Sequence, residues 1–364
     1  MILEIVDLAR GGAGVARDPD GRVVFVPFSA PGDQVRVQVL KSQKNYGWAE
    51  IQELIKPSPH RETPPCPAFG QCGGCQWQHI PYALQWETKV KGLKQALSQA
   101  KVLLPQQFDQ IPATQIWGYR NRIQLRGNKS ELGFFKPNTH EIIDVKRCDI
   151  ARSEINAAWE NIRKEGAARS VPYKVEVEVT PTGQIQKTWN SPHGAAGFRQ
   201  VHDEQNEKLR SWILNSIQPS HTLYDLYGGS GNLSLPLVEK FDEIHCVDTG
   251  AKTLPQGAIP RNLHFHKSPV APWIGKRADQ KKEQGPSSAI LDPPREGLAR
   301  DLPRIAAALE SLGVKEIVAV GCDLDSWVKD LKGWTARGWA LKRVMAIDLF
   351  PQTTHIESVG LLAL

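Results

Sequence analysis

Alternation of apolar and polar residues is sharpest near the start of the chain. Gln34-Val35-Arg36-Val37-Gln38-Val39 puts every second side chain on one face, the period of a half-buried strand. Val23-Val24-Phe25-Val26 is a second β-branched run, and Pro31-Gly32-Asp33 makes a turn between the two. Gly11-Gly12-Ala13-Gly14 marks an earlier tight turn. Short strands at this spacing predict a small β-barrel over residues 1–58. Lys56-Pro57-Ser58-Pro59-His60-Arg61 and then Pro64-Pro65 read as a linker leaving it. From Tyr82 to Gln99 the period changes, with Leu84, Val90, Leu93 and Leu97 at roughly helical spacing. Residues 116–190 return to β-like runs such as Arg122-Ile123-Gln124-Leu125-Arg126, with a helix expected over Glu154–Lys164.

Beyond residue 200 the chain alternates between strand and helix. His221–Tyr227, Glu243–Val247, Ser288–Leu291 and Glu316–Val320 are short apolar strands, separated by helical stretches such as Asp301–Leu312. That alternation predicts a parallel, doubly wound sheet. The expected fold class is therefore α/β. Its parts are an OB-like barrel (1–58), a central α+β domain (59–197) and a Rossmann-like domain (198–364). The helix over 82–99 is a candidate for packing on the last of these.

Composition narrows the class. The 364 residues are 40% hydrophobic and 23% charged, ordinary for a globular protein and too many for one simple core. No apolar run is long enough to span a membrane, and Met1–Val15 lacks the pattern of a signal peptide. A cytoplasmic monomer is expected. The net charge of +6 permits nucleic-acid binding without establishing it. Lys41, Lys44, Tyr46 and Trp48 mix cations with aromatic rings, which suits RNA, although a solvated hairpin reads the same way.

Three of the six cysteines fall in Cys66-Pro67-Ala68-Phe69-Gly70-Gln71-Cys72-Gly73-Gly74-Cys75, and Cys148 is a fourth candidate ligand. Four thiolates suit a cubane iron–sulfur cluster, and the glycines let two ligands three residues apart reach one centre. Zinc is the alternative, although structural zinc sites more often use two paired knuckles.

Tyr224-Asp225-Leu226-Tyr227-Gly228-Gly229-Ser230-Gly231-Asn232 ends a strand with a glycine-rich turn and precedes Leu233–Glu239, of helical character. Such a turn lets a nucleotide-like ligand approach the backbone. Asp248, one strand later, can accept hydrogen bonds from ribose hydroxyls or cap a helix. Asp292, in Asp292-Pro293-Pro294-Arg295, is held at a strand end by two stiff prolines. Cys322 lies just past a strand, where a nucleophile or a small buried residue would both fit. Glu357 stands in an apolar stretch, which makes it a candidate general base or a salt-bridged acid.

Together these strings resemble the RNA uracil-5 methyltransferase family over nearly the whole chain. The resemblance implies that residues 1–58 are a TRAM RNA-binding barrel, and that Cys66, Cys72, Cys75 and Cys148 ligate a 4Fe–4S cluster. Phe198-Arg199-Gln200-Val201 is similar to the start of the family's catalytic domain, where the Gln contacts S-adenosylmethionine. Tyr227, Asn232, Asp248 and Asp292 fall on cofactor-site positions, Cys322 on the nucleophile and Glu357 on the base. The implied activity is methylation of uridine carbon 5 through a covalent cysteine adduct. The expected substrate is 23S rRNA, with tRNA as the alternative. Methylation of another base, or non-catalytic RNA binding by an iron–sulfur protein, are rival readings.

Three positions depart from the family pattern. Gly321-Cys322-Asp323-Leu324 replaces Ser-Cys-Asn-Pro, and the adjacent carboxylate is expected to raise the thiol pKa. Gly228 stands where the family often has Cys. Lys267-Ser268-Pro269 replaces a polar or acidic adenine contact.

Overall fold

A computed structural model describes residues 1–169, 171–191, 199–250, 259–280 and 285–364. The chain divides into two compact units. One comprises Met1–Gly92, Thr114–Pro192 and Phe350–Thr354, the other Leu93–Ala113, His193–Leu349 and His355–Leu364.

The first unit opens with β1 (Ile2–Glu4), β2 (Asp7–Leu8), β3 (Gly14–Arg17), β4 (Val23–Val26), β5 (Gln34–Ser42) and β6 (Tyr46–Lys56), one sheet of order β1-β5-β6-β4-β3-β2. Val35 and Val37 of β5 join Leu3, Ile5, Val24, Val26 and Ala49 in its core, while Gln34, Arg36 and Gln38 face out. The alternation expected through Val39 stops at Val37. Val39 is 40% exposed, and the register slips beside it where β5 and β6 run on together past the core. The proline-rich stretch does not leave as a loose linker. The Ser58 N–H and the Arg61 guanidinium both bond to Asp33, a fully buried carboxylate that needs such partners.

α1 (Tyr82–Gln99) occupies the span its periodicity predicts. Its residues through Gly92 belong to the first unit and those from Leu93 to the second. β7 (Gln107–Ile111) follows. The first unit then builds an antiparallel sheet from β8 (Arg122–Asn128), β9 (Glu131–Phe135), β10 (Ile142–Asp144), β11 (Tyr173–Val179) and β12 (Ile185–Trp189), in the order β10-β9-β8-β11-β12. α2 (Ser153–Ala167) lays Ile155, Trp159 and Ile162 against Ile123, Leu125, Leu132, Val175 and Val177. All eight side chains are buried, and each aliphatic one contributes about 1.5–3 kcal/mol.

The second unit contains α3 (Asp203–Ser216), β13 (Ser220–Leu226), β14 (Phe241–Asp248), β15 (Leu263–Lys267), α4 (Val270–Gln280), β16 (Ser287–Leu291), α5 (Leu302–Ser311), β17 (Val314–Gly321), α6 (Leu324–Thr335), β18 (Ala340–Ile347) and β19 (Glu357–Ala363). With β7 they form a sheet of order β15-β14-β13-β16-β17-β19-β18-β7. The pairs from β15 to β17 are parallel, as expected, but β19 runs antiparallel to both its neighbours. The winding reverses between β13 and β16, so the carboxyl ends of these strands border the ligand crevice of such sheets. Leu233–Glu239 forms only one 3-10 turn, Leu235–Leu237, which contains Pro236 and its missing N–H. No helix among the described residues is long and apolar enough to cross a membrane.

Candidate active site

The second unit brings the expected chemical residues to one sheet edge. β17 ends at Gly321, whose register partner on β19 is Ser358. Cys322 follows Gly321 and Glu357 precedes Ser358, and Glu357 is the charge that raises the Cys322 thiol most. Asp292 follows the last residue of β16, the other neighbour of β17, and its N–H bonds to Leu226 O at 3.3 Å. Burial pushes the Cys322 thiol up to about 12, with Glu357 and then Asp292 adding to the rise and Arg295 opposing it. Glu357 is 1% exposed, and burial followed by Asp292 holds its carboxyl well above the usual carboxylate range. Neither of its oxygens has a hydrogen-bond partner among the described residues, so Glu357 is not the salt-bridged acid that the sequence left open. Asp292 is itself pushed up to about 7, by burial and then by Asp225 and Asp248.

Asp225, one residue before the end of β13, has no exposed surface, and burial pushes it up to about 6. Sequence reasoning missed it, although an acid inside Leu223-Tyr224-Asp225-Leu226 was a signal. Arg295, whose charge opposes the rise of the Cys322 pKa, was also passed over. Asp225, Asp248, Asp292 and Glu357 gather at one edge, and burial holds Asp225, Asp292 and Glu357 toward their neutral forms. A cationic ligand there would favour their ionised forms.

The glycine-rich turn has its own geometry. Tyr227 adopts a left-handed φ of +64°, a strained conformation for a bulky residue. Asp248 ties the turn down, accepting from Gly229 N at 3.3 Å and from Gly250 N at 2.6 Å. Asn232 exchanges a reciprocal pair of 2.9 Å amide bonds with Asn206 of α3, so the structure commits half of its amide to the protein. Gln200 is buried two residues before His202, the N-cap of α3. Phe198 of the same string lies outside the described residues.

Two of the departures have a physical cause. Asp323 is not among the largest influences on the thiol, which the sequence expected its carboxylate to raise. It is the N-cap of α6, its Oδ1 accepting from Ser326 N at 3.0 Å, and the carboxylates that raise Cys322 most are Glu357 and Asp292. Asp and Asn are equivalent caps, so the exchange keeps the helix start. A Cβ on Gly321 would sit 2.6 Å from Trp327 Cδ1, so the indole occupies the space that a serine side chain would need. A Cβ on Gly228 would meet Asp225 Oδ2 at 2.5 Å and Cys246 Sγ at 2.6 Å, so the Cys246 thiol already fills the volume of a side chain at 228.

In the first unit, the loop carrying Cys66, Cys72 and Cys75 converges on Cys148. Cys66, Cys72 and Cys148 all pack against the core under α2. Burial raises all four thiols, Cys75 to about 12 and Cys148 to about 11, and charge repulsion links Cys72 to each of the other three. Arg120 opposes the rise at Cys75 and Cys148. The loop is braced: Gly73 N bonds to Phe135 O at 3.2 Å, Gly74 N to Cys72 Sγ at 3.4 Å, and Asn156 both donates to and accepts from the Cys148 backbone. Among the described residues, no three His, Cys, Asp or Glu side chains are grouped to hold a single metal ion.

Comparison with known proteins adds to this geometry. Residues 3–51 match the TRAM domain. An uncharacterized RNA methyltransferase of Bdellovibrio bacteriovorus is 30% identical over 98% of this chain and 93% of its own length. A 23S rRNA (uracil(1939)-C(5))-methyltransferase of Pectobacterium atrosepticum is 26% identical over 99% and 93%. Among solved structures, a Pyrococcus abyssi tRNA (uracil-54, C5)-methyltransferase, in complex with S-adenosyl-L-homocysteine, superposes with a TM-score of 0.72 at 21% identity. That match covers 99% of both chains and supports the fold.

Proposed function

Given that the chain belongs to the RNA uracil-5 methyltransferase family, we propose that it methylates carbon 5 of a uridine in 23S rRNA through a covalent adduct at Cys322. The enzyme is an RNA (uracil-5-)-methyltransferase that uses S-adenosylmethionine. The observation that carries the finer reading is that Cys322 and Glu357 flank the Gly321–Ser358 register pair and act electrostatically on one another. A uracil ring between them has carbon 6 toward a nucleophile and carbon 5 toward a base.

The Cys322 thiol gives up its proton to solvent, and the thiolate sulfur forms a bond to carbon 6 and pushes electron density through carbon 5 toward the carbon 4 oxygen. Carbon 5 takes the methyl group, releasing S-adenosylhomocysteine. Glu357 then removes the carbon 5 proton, the carbon 5–carbon 6 double bond re-forms, and the sulfur leaves. A carboxylate whose pKa burial has raised is a stronger base once ionised. S-adenosylmethionine carries a sulfonium cation, and its charge opposes the mutual repulsion of Asp225, Asp248 and Asp292. Gln200, Tyr227, Asn232, Asp248 and Asp292 are the residues proposed to hold it. The demand for a flipped base fits an enzyme that must reach both faces of one ring.

Cys66, Cys72, Cys75 and Cys148 are proposed to hold a 4Fe–4S cluster in the first unit. When bound, the cluster supplies a cross-link among four points of the chain. One buried and three half-buried thiols that act electrostatically on one another, with Arg120 opposing the rise of two of them, support this reading. The TRAM-matching strands, with Lys41, Lys44, Tyr46 and Trp48, are proposed to bind RNA.

Nucleoside analysis of 23S rRNA from a strain lacking the gene tests the activity. One 5-methyluridine should disappear and return with the wild-type gene. An unchanged 5-methyluridine content, with loss of a 5-methylcytidine instead, would contradict the base assignment.

A further inference from the structure

The central sheet of the first unit carries an open groove of about 520 Å³, within the size range of small-ligand sites. Arg126, Phe135, His140, Tyr173, Lys174 and Asn190 line it. Its charge arrangement is unusual. Arg126 of β8 and Lys174 of β11 are direct register partners, and like charges placed opposite one another on a sheet destabilise it. Further along the same two strands the pattern is balanced. Arg122 is the partner of Glu178, and its guanidinium lies 3.6 Å from Glu176. The sequence therefore doubles the positive charge only where the groove opens. A phosphate between Arg126 and Lys174 would remove the repulsion.

The groove also carries a flat apolar surface. The Arg126 guanidinium lies 5.1 Å over the Phe135 ring, which meets His140 edge-on at 5.3 Å. Tyr173 is 4% exposed and packs in the core under α2, on the sheet face opposite its neighbour Lys174. A Cβ on Gly127 would lie 2.2 Å from its Cζ, and one on Gly166 would lie 2.0 Å from its hydroxyl, so two glycines make room for this ring. Trp189 packs against it in a T-shape at 5.4 Å. The half-buried Phe135 ring beside paired cations is the arrangement that binds an unstacked nucleotide, with the base on the ring and the phosphate between charges.

We propose that this groove holds one unstacked nucleotide of the RNA substrate, other than the uridine that is methylated. The proposal rests on the RNA methyltransferase reading above. It goes beyond that reading in assigning a second nucleotide site, built from the first unit, whereas Cys322 and Glu357 belong to the second.

The test uses full-length protein and a fluorescein-labelled single-stranded 12-mer RNA, with a 12-base-pair RNA duplex as the second probe. Phe135→Ala and Phe135→Leu should weaken single-strand binding about 10-fold, within the range for loss of one stacked base. Duplex binding should stay unchanged, because its bases are already stacked; a merely structural defect would lower both. The double variant Arg126→Gln/Lys174→Gln should reduce the salt slope of single-strand binding by about 0.7 for each phosphate it no longer neutralises. Calorimetric titration with S-adenosylmethionine should match wild type in every variant that folds, and Phe135→Leu serves if Phe135→Ala does not. Single-strand affinity equal to wild type in Phe135→Leu, while wild type methylates RNA, overturns the groove assignment alone. Wild type that neither binds nor methylates any RNA overturns the activity and the groove together.

Discussion

Cys322 and Glu357 flank the Gly321–Ser358 register pair at two antiparallel strand ends, and Glu357 is the charge that raises the Cys322 thiol most. β17 supplies the thiol at its carboxyl end and β19 supplies the carboxyl group at its amino end. The antiparallel direction of β19 is what brings residues 35 positions apart in the chain to one edge. Both groups are protonated more strongly than usual, because burial and shared negative charge disfavour their ionised forms.

The Asp323 cap predicts a small effect where a charge argument would predict a large one. Asp323→Asn should leave stability within a few tenths of a kcal/mol, and the pH–rate profile of methylation should not move. Asp323→Ala should cost about 1 kcal/mol in urea unfolding, from the lost bond to Ser326 N. A clear acid shift of the profile in Asp323→Asn would restore the carboxylate as a direct influence on the thiol.

The Gly228 contacts predict a compensating pair. Gly228→Cys should destabilise by about 1–3 kcal/mol, since its side chain meets Asp225 and the Cys246 sulfur. Cys246→Ala, combined with it, should recover part of that loss. A double-mutant cycle with no coupling between positions 228 and 246 would show that the thiol is not what fills the space.

Asp292 predicts a pH dependence of the cofactor-free protein. Its folded pKa, pushed up to about 7, lies above that of an unfolded aspartate. The folded state therefore binds more protons, and stability is lost as pH rises through that value. The melting temperature should fall as pH rises from about 4 to about 7 and level off above it. Asp292→Asn should flatten that fall and raise the value at pH 8 by about 2–4 °C, the shift that 1 kcal/mol gives in a domain of 150–250 residues. The same variant should lose S-adenosylmethionine binding. A lower melting temperature for Asp292→Asn at pH 8 would mean that the carboxylate is stabilising in place.

The cysteine loop predicts iron. Protein purified without oxygen should be brown, with about four irons and acid-labile sulfide per chain. One zinc and no labile sulfide would contradict the cluster.

Much of this was legible in the sequence because local pattern carried it. α1 follows its apolar period, and β13, β14, β16 and β17 follow their short apolar runs to within a few residues. Asp248, Asp292, Cys322 and Glu357 were legible as motif positions because each lies at or next to a strand terminus, whereas Gln200 and Asn232 lie outside the strands. What sequence did not reveal depends on pairings distant along the chain. The antiparallel β19 and the addition of β7 to the sheet edge follow from pairing, not periodicity. The capping role of Asp323 was not legible, because a string shows which residues are adjacent and not that a side chain turns back to cap a helix. The glycines at 228 and 321 read as losses in the string, whereas in the fold Cys246 and Trp327 fill the vacated space.

The central claim is that Cys322 attacks and Glu357 deprotonates, and trapping of the protein–RNA adduct tests it most directly. Wild type, Cys322→Ala and Glu357→Gln are incubated with labelled RNA and S-adenosylmethionine, then separated on a denaturing gel. Glu357→Gln should accumulate a covalent adduct carrying the methyl group, because attack and transfer proceed but the carbon 5 proton stays. Cys322→Ala should give neither adduct nor methylated RNA. Full methylation by Cys322→Ala would contradict the account.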